Sequence, residues 1–471
     1  MSDDMKVIGD LIAKARIAQQ KIADYTQEQI DEVCLAVGWE VYKDENIDAC
    51  ARIAVEETGM GVYEHKLRKH KVKVLGVCRD IMDKNAKSVG VIERDEARGI
   101  TKYAKPVGVI GALSPVTNPT ATPASNTVGI LKGRNAVIFA PHPRAKRSCK
   151  VVTDFMRQGL RKVGAPEDLI QYIEEPSIPR SQELMRQADL VLATGGAVMV
   201  KAAYSSGTPA YGVGAGNPVI IVAEDADIED AAEKITISKT FDNATSCSSD
   251  TSIVIHESVY DRLKAEFIKR GAYLCNAEEK NKLEQWMWTP TKQPGKMALN
   301  LKIVAVSANR IAADAGIEVP DNTSMLLVEA ENAGTDRFSG EKISPVLALW
   351  KYKTDFDEAI ATVTKLHEYA GMGHSCGLYS FNPDYIDKAA AELKVSRVIV
   401  RQPHAPSAGG NLWNGMPSTV TLGCGTWGGN ITTENIYWKH FINVTWLSEP
   451  IKPASVVEEN IFGGVWEKYG K

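Results

Sequence analysis

A chain of 471 residues with 44% hydrophobic and 24% charged positions has ordinary globular composition and is too long for one core, so two or three lobes are expected. Its formal charge of −4 offers no general attraction to nucleic acid or to an anionic membrane surface. No run of about 18 or more apolar residues occurs, which leaves no candidate transmembrane helix.

Residues 3–36 place Val7, Ile8, Leu11, Ile12, Ala15 and Ile22 on one recurring apolar face, and helical patterning continues to about residue 86. The opening stretch mixes acids and bases through its apolar positions and lacks a secretory core. A tag for a protein-shelled compartment in residues 1–20 would be followed by a flexible linker. Here DYTQEQIDEV runs straight on, which favours a lobe-forming helix. The stretch KSVGVIERDEARGITKYAK then turns strand-like, with β-branched residues and glycine punctuation.

From about residue 106 short apolar runs alternate with amphipathic helices. VGVIGAL (107–113), NAVIFA (135–140), LIQYI (169–173), LVLAT (190–194) and PVIIVA (218–223) read as strands. SPVTNPTATP (114–123) reads as a proline-broken loop and ASNTVGILKG (124–133) as a helix. This alternation predicts an α/β fold with a parallel, doubly wound sheet, whose ligands sit at the carboxyl ends of the strands. Thr194, the pair Gly195-Gly196 and the run GVGAGNP (212–218), with Gly214, fall at such ends, although neither glycine cluster is a GxGxxG fingerprint. The second half repeats the alternation with strand candidates LKIVAVS, SMLLVEA, PVLALWKY, CGLYSF and SRVIVRQ. A tail bearing Trp438, Phe441, Ile442, Val444, Trp446 and Leu447 carries apolar surface that would dock on its own domain or on a partner subunit.

The eight cysteines form no CxxC pair and show no zinc-like spacing, so free thiols in a reducing cytoplasm and no metal site are expected. Cys247 stands out among them. It lies in KTFDNATSCSSDTSIVI, between an acidic helix-compatible run and a strand, and is flanked by the hydroxyls of Thr245, Ser246, Ser248 and Ser249. Cysteine is the strongest neutral-pH nucleophile among side chains once ionised, yet a single cysteine is also a small packing residue.

The stretches KPVGVIGALSPVTNPT (105–120), NAVIFAPHPRAK (135–146), LATGGAVMVKAAYSSGTPAYGVGAGN (192–217), KTFDNATSC (239–247), EKISPVLA (341–348), GMGHS (371–375) and TLGCGTWGGN (421–430) settle the direction. Through them the chain resembles the acylating, coenzyme A-dependent branch of the aldehyde dehydrogenase superfamily, including the aldehyde dehydrogenase half of bifunctional aldehyde–alcohol dehydrogenases. The resemblance implies a Rossmann-like cofactor domain (1–86 and 105–242), an α/β catalytic domain (243–430) and a β oligomerisation flap (87–104 and 431–471), assembled as a homodimer or homotetramer. It also implies that Cys247 attacks an aldehyde carbon, that hydride passes to NAD or NADP, and that coenzyme A cleaves the resulting thioester. Asn118 matches the family's oxyanion-binding amide. Glu341 matches the glutamate on the nicotinamide ribose, and Thr117, His142, Arg144, Thr194, Gly195, Gly196, Gly214 and His374 fall where the cofactors bind. Arg144 suits either a ribose phosphate or a solvated helix start, and His374 either a structural or a catalytic or coenzyme A role.

Two departures bear on mechanism. Hydrolytic relatives carry a general-base glutamate where this chain has Gly212, and a ribose-binding lysine where it has Ala140. Without a carboxylate at 212 water is poorly activated, whereas a thiol needs less help, so thiolysis is expected. The hydroxyls of Thr245, Ser246 and Ser248, with Arg401 and His404 in the loop after SRVIV, suit a compact anionic aldehyde tail. Sulfoacetaldehyde, converted to sulfoacetyl-coenzyme A as in the sulfonate-metabolising members, is the expected substrate. An acetaldehyde or propionaldehyde enzyme of a shelled microcompartment is the alternative, and a catalytically silent paralogue is a third reading that the joint retention of Cys247, Asn118 and Glu341 argues against.

Overall fold

The computed structural model describes residues 3–293, 296–453 and 455–471, so the first two positions of the segment weighed as a tag lie outside it. Two parallel sheets organise it. One has five strands in the order Ile170–Tyr172, Ala136–Pro141, Val109–Ser114, Leu190–Thr194 and Ala210–Val213. The other has seven in the order Ala272–Leu274, Met325–Glu329, Val346–Tyr352, Ser252–His256, Val219–Val222, Cys376–Tyr379 and Val398–Val400.

Strands covered on both faces must be apolar throughout, and Val109–Ser114 and Ala136–Pro141 are buried at every position. In the seven-stranded sheet the two-residue period splits each strand between two cores. Val219, Ile221, Val254, Leu326 and Val328 enter one, while Ile220, Val222, Ile253, Ile255, Met325 and Leu327 enter the other. The helix Ile228–Thr240 closes the second core with Ile228, Ala231, Ala232 and Ile235.

Strand Val219–Val222 therefore belongs with the second sheet, pairing with both Ser252–His256 and Cys376–Tyr379. The chain crosses between Val213 and Val219, upstream of the expected boundary at residue 242. Apolarity marks a strand without saying which sheet it joins. The LKIVAVS segment also departs from expectation. It opens on the 3-10 turn Leu301–Ile303, capped by Asn300, and Ala305 takes a left-handed φ of 58°. Val304 and Ala305 are buried against Met60, so the apolar run fills a gap between elements instead of pairing.

An antiparallel sheet of Gly90–Asp95, Ile100–Pro106 and Ile442–Ser448 stands apart from both. Phe441 is buried and Trp438 packs on the first core, but Val444, Trp446 and Leu447 on the following strand are exposed. The helix Tyr63–Ile81 sends Val74, Val77 and Ile81 into the first core. Among the described residues no helix is long and apolar enough to cross a membrane.

Candidate active site

A cavity of about 430 Å³ opens where four strands of the five-stranded sheet end: after Ser114, Pro141, Thr194 and Val213. Its wall includes Thr117, Asn118, His142, Thr194, Gly195, Gly196, Gly214, Thr245, Ser246, Cys247, Ser248 and Glu341. Twelve of the sixteen residues singled out from sequence thus converge on one space. His374, Arg144, Arg401 and His404 do not line it.

Cys247 reaches this cavity through a strained turn. Asp242, Asn243 and Ala244 all take left-handed φ, at 56°, 50° and 57°, a conformation that costs on the order of 1 kcal/mol or more for each non-glycine residue. Asp242 holds the turn in place. Its backbone N–H donates to His65 Nδ1 at 2.8 Å, and its carboxylate accepts from Val62 N–H at 2.9 Å and Thr245 Oγ1 at 2.6 Å. Lys69 and Lys66 complete the set at 2.6 and 2.9 Å. Burial alone would raise the Asp242 carboxyl, but the two ammonium groups and the hydrogen bonds bring it to about 2.

Burial pushes the Cys247 thiol up to about 12, with Glu341 and Cys424 adding to the rise and Arg397 opposing it. His374 Nε2 lies 3.3 Å from Cys247 Sγ, and its Nδ1 is 2.7 Å from Ser375 Oγ. Burial, with the Arg397 guanidinium, holds His374 well below the ordinary histidine range, so the ring is neutral. If Nδ1 carries the proton toward Ser375, Nε2 is left free to accept from the thiol. Arg397 fixes this loop by donating to His374 O at 2.8 Å and Gly423 O at 2.7 Å.

Asn118 is oriented from below. Lys69 Nζ donates to Asn118 Oδ1 at 2.8 Å and also bonds Thr245 Oγ1 at 2.8 Å. An ammonium group has no acceptor, so the oxygen must face Lys69, and Nδ2 remains the available donor with one long bond to Thr117 Oγ1 at 3.5 Å. Sequence reasoning missed Lys66, Lys69 and Asp242. The signal was present: in EHKLRKHKVK the spacing of Lys66, Lys69 and Lys73 puts three ammonium groups on one face of a helix.

The opposite wall fits a nicotinamide nucleotide. Gly216 N–H donates to Glu341 Oε1 at 3.2 Å, and a Cβ at 216 would meet the Cys247 carbonyl oxygen at 1.9 Å, so only glycine permits this approach. Gly196 caps the helix Ala197–Tyr204 with no side-chain cap, and the space over it is open, which leaves the helix-terminal N–H groups ready for a pyrophosphate. Burial pushes the Glu341 carboxyl up to about 8, against the Gly216 N–H, Lys239 and Lys342. Gly212 has its own wall. Tyr204 Oη donates to Gly212 O at 3.0 Å and accepts from Gly212 N–H at 3.1 Å, and a Cβ there would lie 2.8 Å from both the Tyr204 ring and Val200.

Four expected site residues are bound elsewhere or stand behind the wall. His374 contacts the thiol from behind, as described. Arg144 donates to Thr58 O at 2.7 Å, which turns it from the cavity. Arg401, at a left-handed φ of 49°, donates to Ser380 O and stacks over Phe381 at 4.5 Å, so it is corrected from a tail-binding to an anchoring position. His404 is buried with Nδ1 2.8 Å from Ser248 O, and it supports the cysteine loop without facing the cavity.

The sequence matches the aldehyde dehydrogenase family over residues 2–421. It is 58% identical over 458 residues to a sulfoacetaldehyde dehydrogenase of Acholeplasma sp, spanning 97% of this chain and 94% of that one. It is 55% identical over 468 residues to the sulfoacetaldehyde dehydrogenase (acylating) of Bilophila wadsworthia, spanning 99% and 100%. The structure resembles that of an acetylating aldehyde dehydrogenase from Geobacillus thermoglucosidasius, with a TM-score of 0.90, 34% identity, and 96% and 98% coverage.

Proposed function

This chain belongs to the aldehyde dehydrogenase family, and from that premise we propose that it oxidises sulfoacetaldehyde to sulfoacetyl-coenzyme A, reversibly, with NAD or NADP. The observation that carries the acylating reading is the convergence of Cys247, Asn118 and Glu341 on one cavity with no carboxylate at Gly212. The sulfonate assignment draws its support from the two similar sulfoacetaldehyde dehydrogenases.

In the proposed mechanism the resting pair is a thiol and a neutral imidazole. A thiol near 12 beside a base held below the usual histidine range does not form an ion pair unaided. The proton moves from Sγ to His374 Nε2 as the C–S bond forms, while the Asn118 amide and backbone N–H groups hold the developing oxyanion. When bound between Glu341 and the Gly196 helix terminus, the nicotinamide nucleotide supplies the hydride acceptor, and the Cys247 adduct becomes a thioester. His374 returns its proton as the coenzyme A thiolate displaces Cys247. The net products are acyl-coenzyme A, reduced nucleotide and one proton.

The test is an aldehyde panel assayed with both nucleotides. NAD(P)H formation is expected only when coenzyme A is present, with kcat/KM higher for sulfoacetaldehyde than for acetaldehyde or propionaldehyde. Undiminished turnover in water alone would overturn the acylating reading. In the same reading the chain works in the cytoplasm as a homodimer or homotetramer, and the exposed Val444, Trp446 and Leu447 supply the assembling face.

Glu341 gives a pH signature. Because its carboxyl is raised to about 8, it is protonated below that pH and ionised above it. The carboxylate accepts charge-assisted hydrogen bonds that are roughly twice as strong as those of the neutral acid, so kcat/KM for the nucleotide should rise as pH passes upward through about 8. Glu341→Gln is expected to remove that inflection in initial-rate profiles.

A further inference from the structure

We propose that the cavity face of the Tyr63–Ile81 helix receives the anionic end of the aldehyde: Arg68 at the rim donates to it, and the Lys69 ammonium, whose three N–H groups are taken by Asn118, Asp242 and Thr245, attracts it by charge alone. This deepens the substrate reading above and rests on it. Both side chains line the cavity. In sulfoacetaldehyde the sulfur is two bonds from the carbonyl carbon, so its anchor must lie beside the oxyanion amide. Lys69 Nζ is 2.8 Å from both Asn118 Oδ1 and Thr245 Oγ1, and Thr245 is two residues from Cys247.

The charge balance of this wall points the same way. Lys66 and Lys69 share one carboxylate, that of Asp242, which leaves an excess positive charge. Lys69 is 9% exposed, so the excess sits largely away from water, where an uncompensated charge is costly. Arg68 adds a second charge, and it makes no hydrogen bond or ion pair among the described residues. Among the described residues the one carboxylate on the cavity wall, Glu341, is engaged by Gly216 N–H. Phe241, 5.5 Å from Lys69 Nζ, with Val72 and Trp413, gives the remainder of this side an apolar surface that strengthens ionic contacts. A neutral aldehyde would leave the excess charge as it is; a sulfonate neutralises it. Arg401, the cation expected from sequence, is tied to Ser380 O and Phe381 and leaves this task to the helix.

The experiment compares kcat/KM for sulfoacetaldehyde and acetaldehyde, at saturating coenzyme A, in the wild-type enzyme and in Arg68→Gln, Arg68→Lys and Lys69→Met. Arg68 is exposed and unbonded, so its variants keep the test valid even where Lys69→Met fails to fold. The sulfoacetaldehyde-to-acetaldehyde ratio should fall roughly ten- to a hundredfold in Arg68→Gln, the range for losing a charge-assisted hydrogen bond. Arg68→Lys should recover most of it. Lys69→Met should slow both aldehydes through Asn118 and lower the ratio further. An unchanged ratio in Arg68→Gln and Lys69→Met, with a wild type that prefers sulfoacetaldehyde, overturns the subsite and leaves the substrate reading standing. A wild type that prefers acetaldehyde overturns the substrate reading itself. Equal losses with both aldehydes together with a raised KM for coenzyme A would place Arg68 on that cosubstrate's phosphates, and would also overturn the subsite.

Discussion

Cys247→Ala is expected to lower coenzyme A-dependent NAD(P)H formation on the order of 10⁵-fold or more, the scale seen when a catalytic nucleophile is removed. No neighbouring thiol can substitute, because Cys424 and Cys376 are buried and neither lines the cavity. The loss should be chemical and not structural, since the network that holds the strained turn runs through Asp242 and does not use the sulfur. Intact mass after incubation with acetyl-coenzyme A gives the direct check. The wild type should gain an acetyl group on Cys247 and the variant none. Acylation of the variant at another residue would remove Cys247 from its role.

Asn118→Ala carries the second-largest effect, a fall in kcat on the order of 100- to 1000-fold, the usual result of deleting one oxyanion donor. The truncation also removes the acceptor for Lys69, which keeps its bonds to Asp242 and Thr245. Stability should therefore change little, and the melting temperature separates the two effects. Asn118→Asp is the more severe electrostatic test, since it would present like charge to the oxyanion and supply a new partner to Lys69. Its kcat should fall at least as far as that of Asn118→Ala. A variant of either kind with kcat near wild type would dismiss the amide from the mechanism.

Most of the polar residues that line this cavity were legible in sequence because they sit on loops between strands that announce themselves by apolar runs. Cys247, Asn118 and Glu341 each lie in a distinctive local sequence, and the fold then delivers them to one cavity. What escaped were groups whose importance depends on contacts far along the chain. Lys69 is 173 residues from Asp242 and looks like one lysine in a basic helix until the fold brings the two together. Arg401 failed in the opposite way. Its loop is close to the cysteine loop, but a left-handed backbone and a neighbouring aromatic ring turn the guanidinium aside. Side-chain chemistry is written in sequence; the direction in which a side chain points is not. The same limit applies to strand Val219–Val222, whose apolarity was plain and whose sheet was not.

The wall around Gly212 has a consequence for what this scaffold can become. Tyr204 and Val200 occupy the space that a side chain at 212 would need, and the tyrosine hydroxyl is bonded to both backbone groups of that glycine. Turning the enzyme toward a hydrolytic outcome is therefore not one mutational step. A carboxylate introduced at 212 alone would collide before it could activate water, so an intermediate with a repacked Tyr204 must come first. The barrier keeps the acyl group bound to sulfur from one thiol to the next, and the free energy released by oxidising the aldehyde stays in a thioester that later metabolism can use.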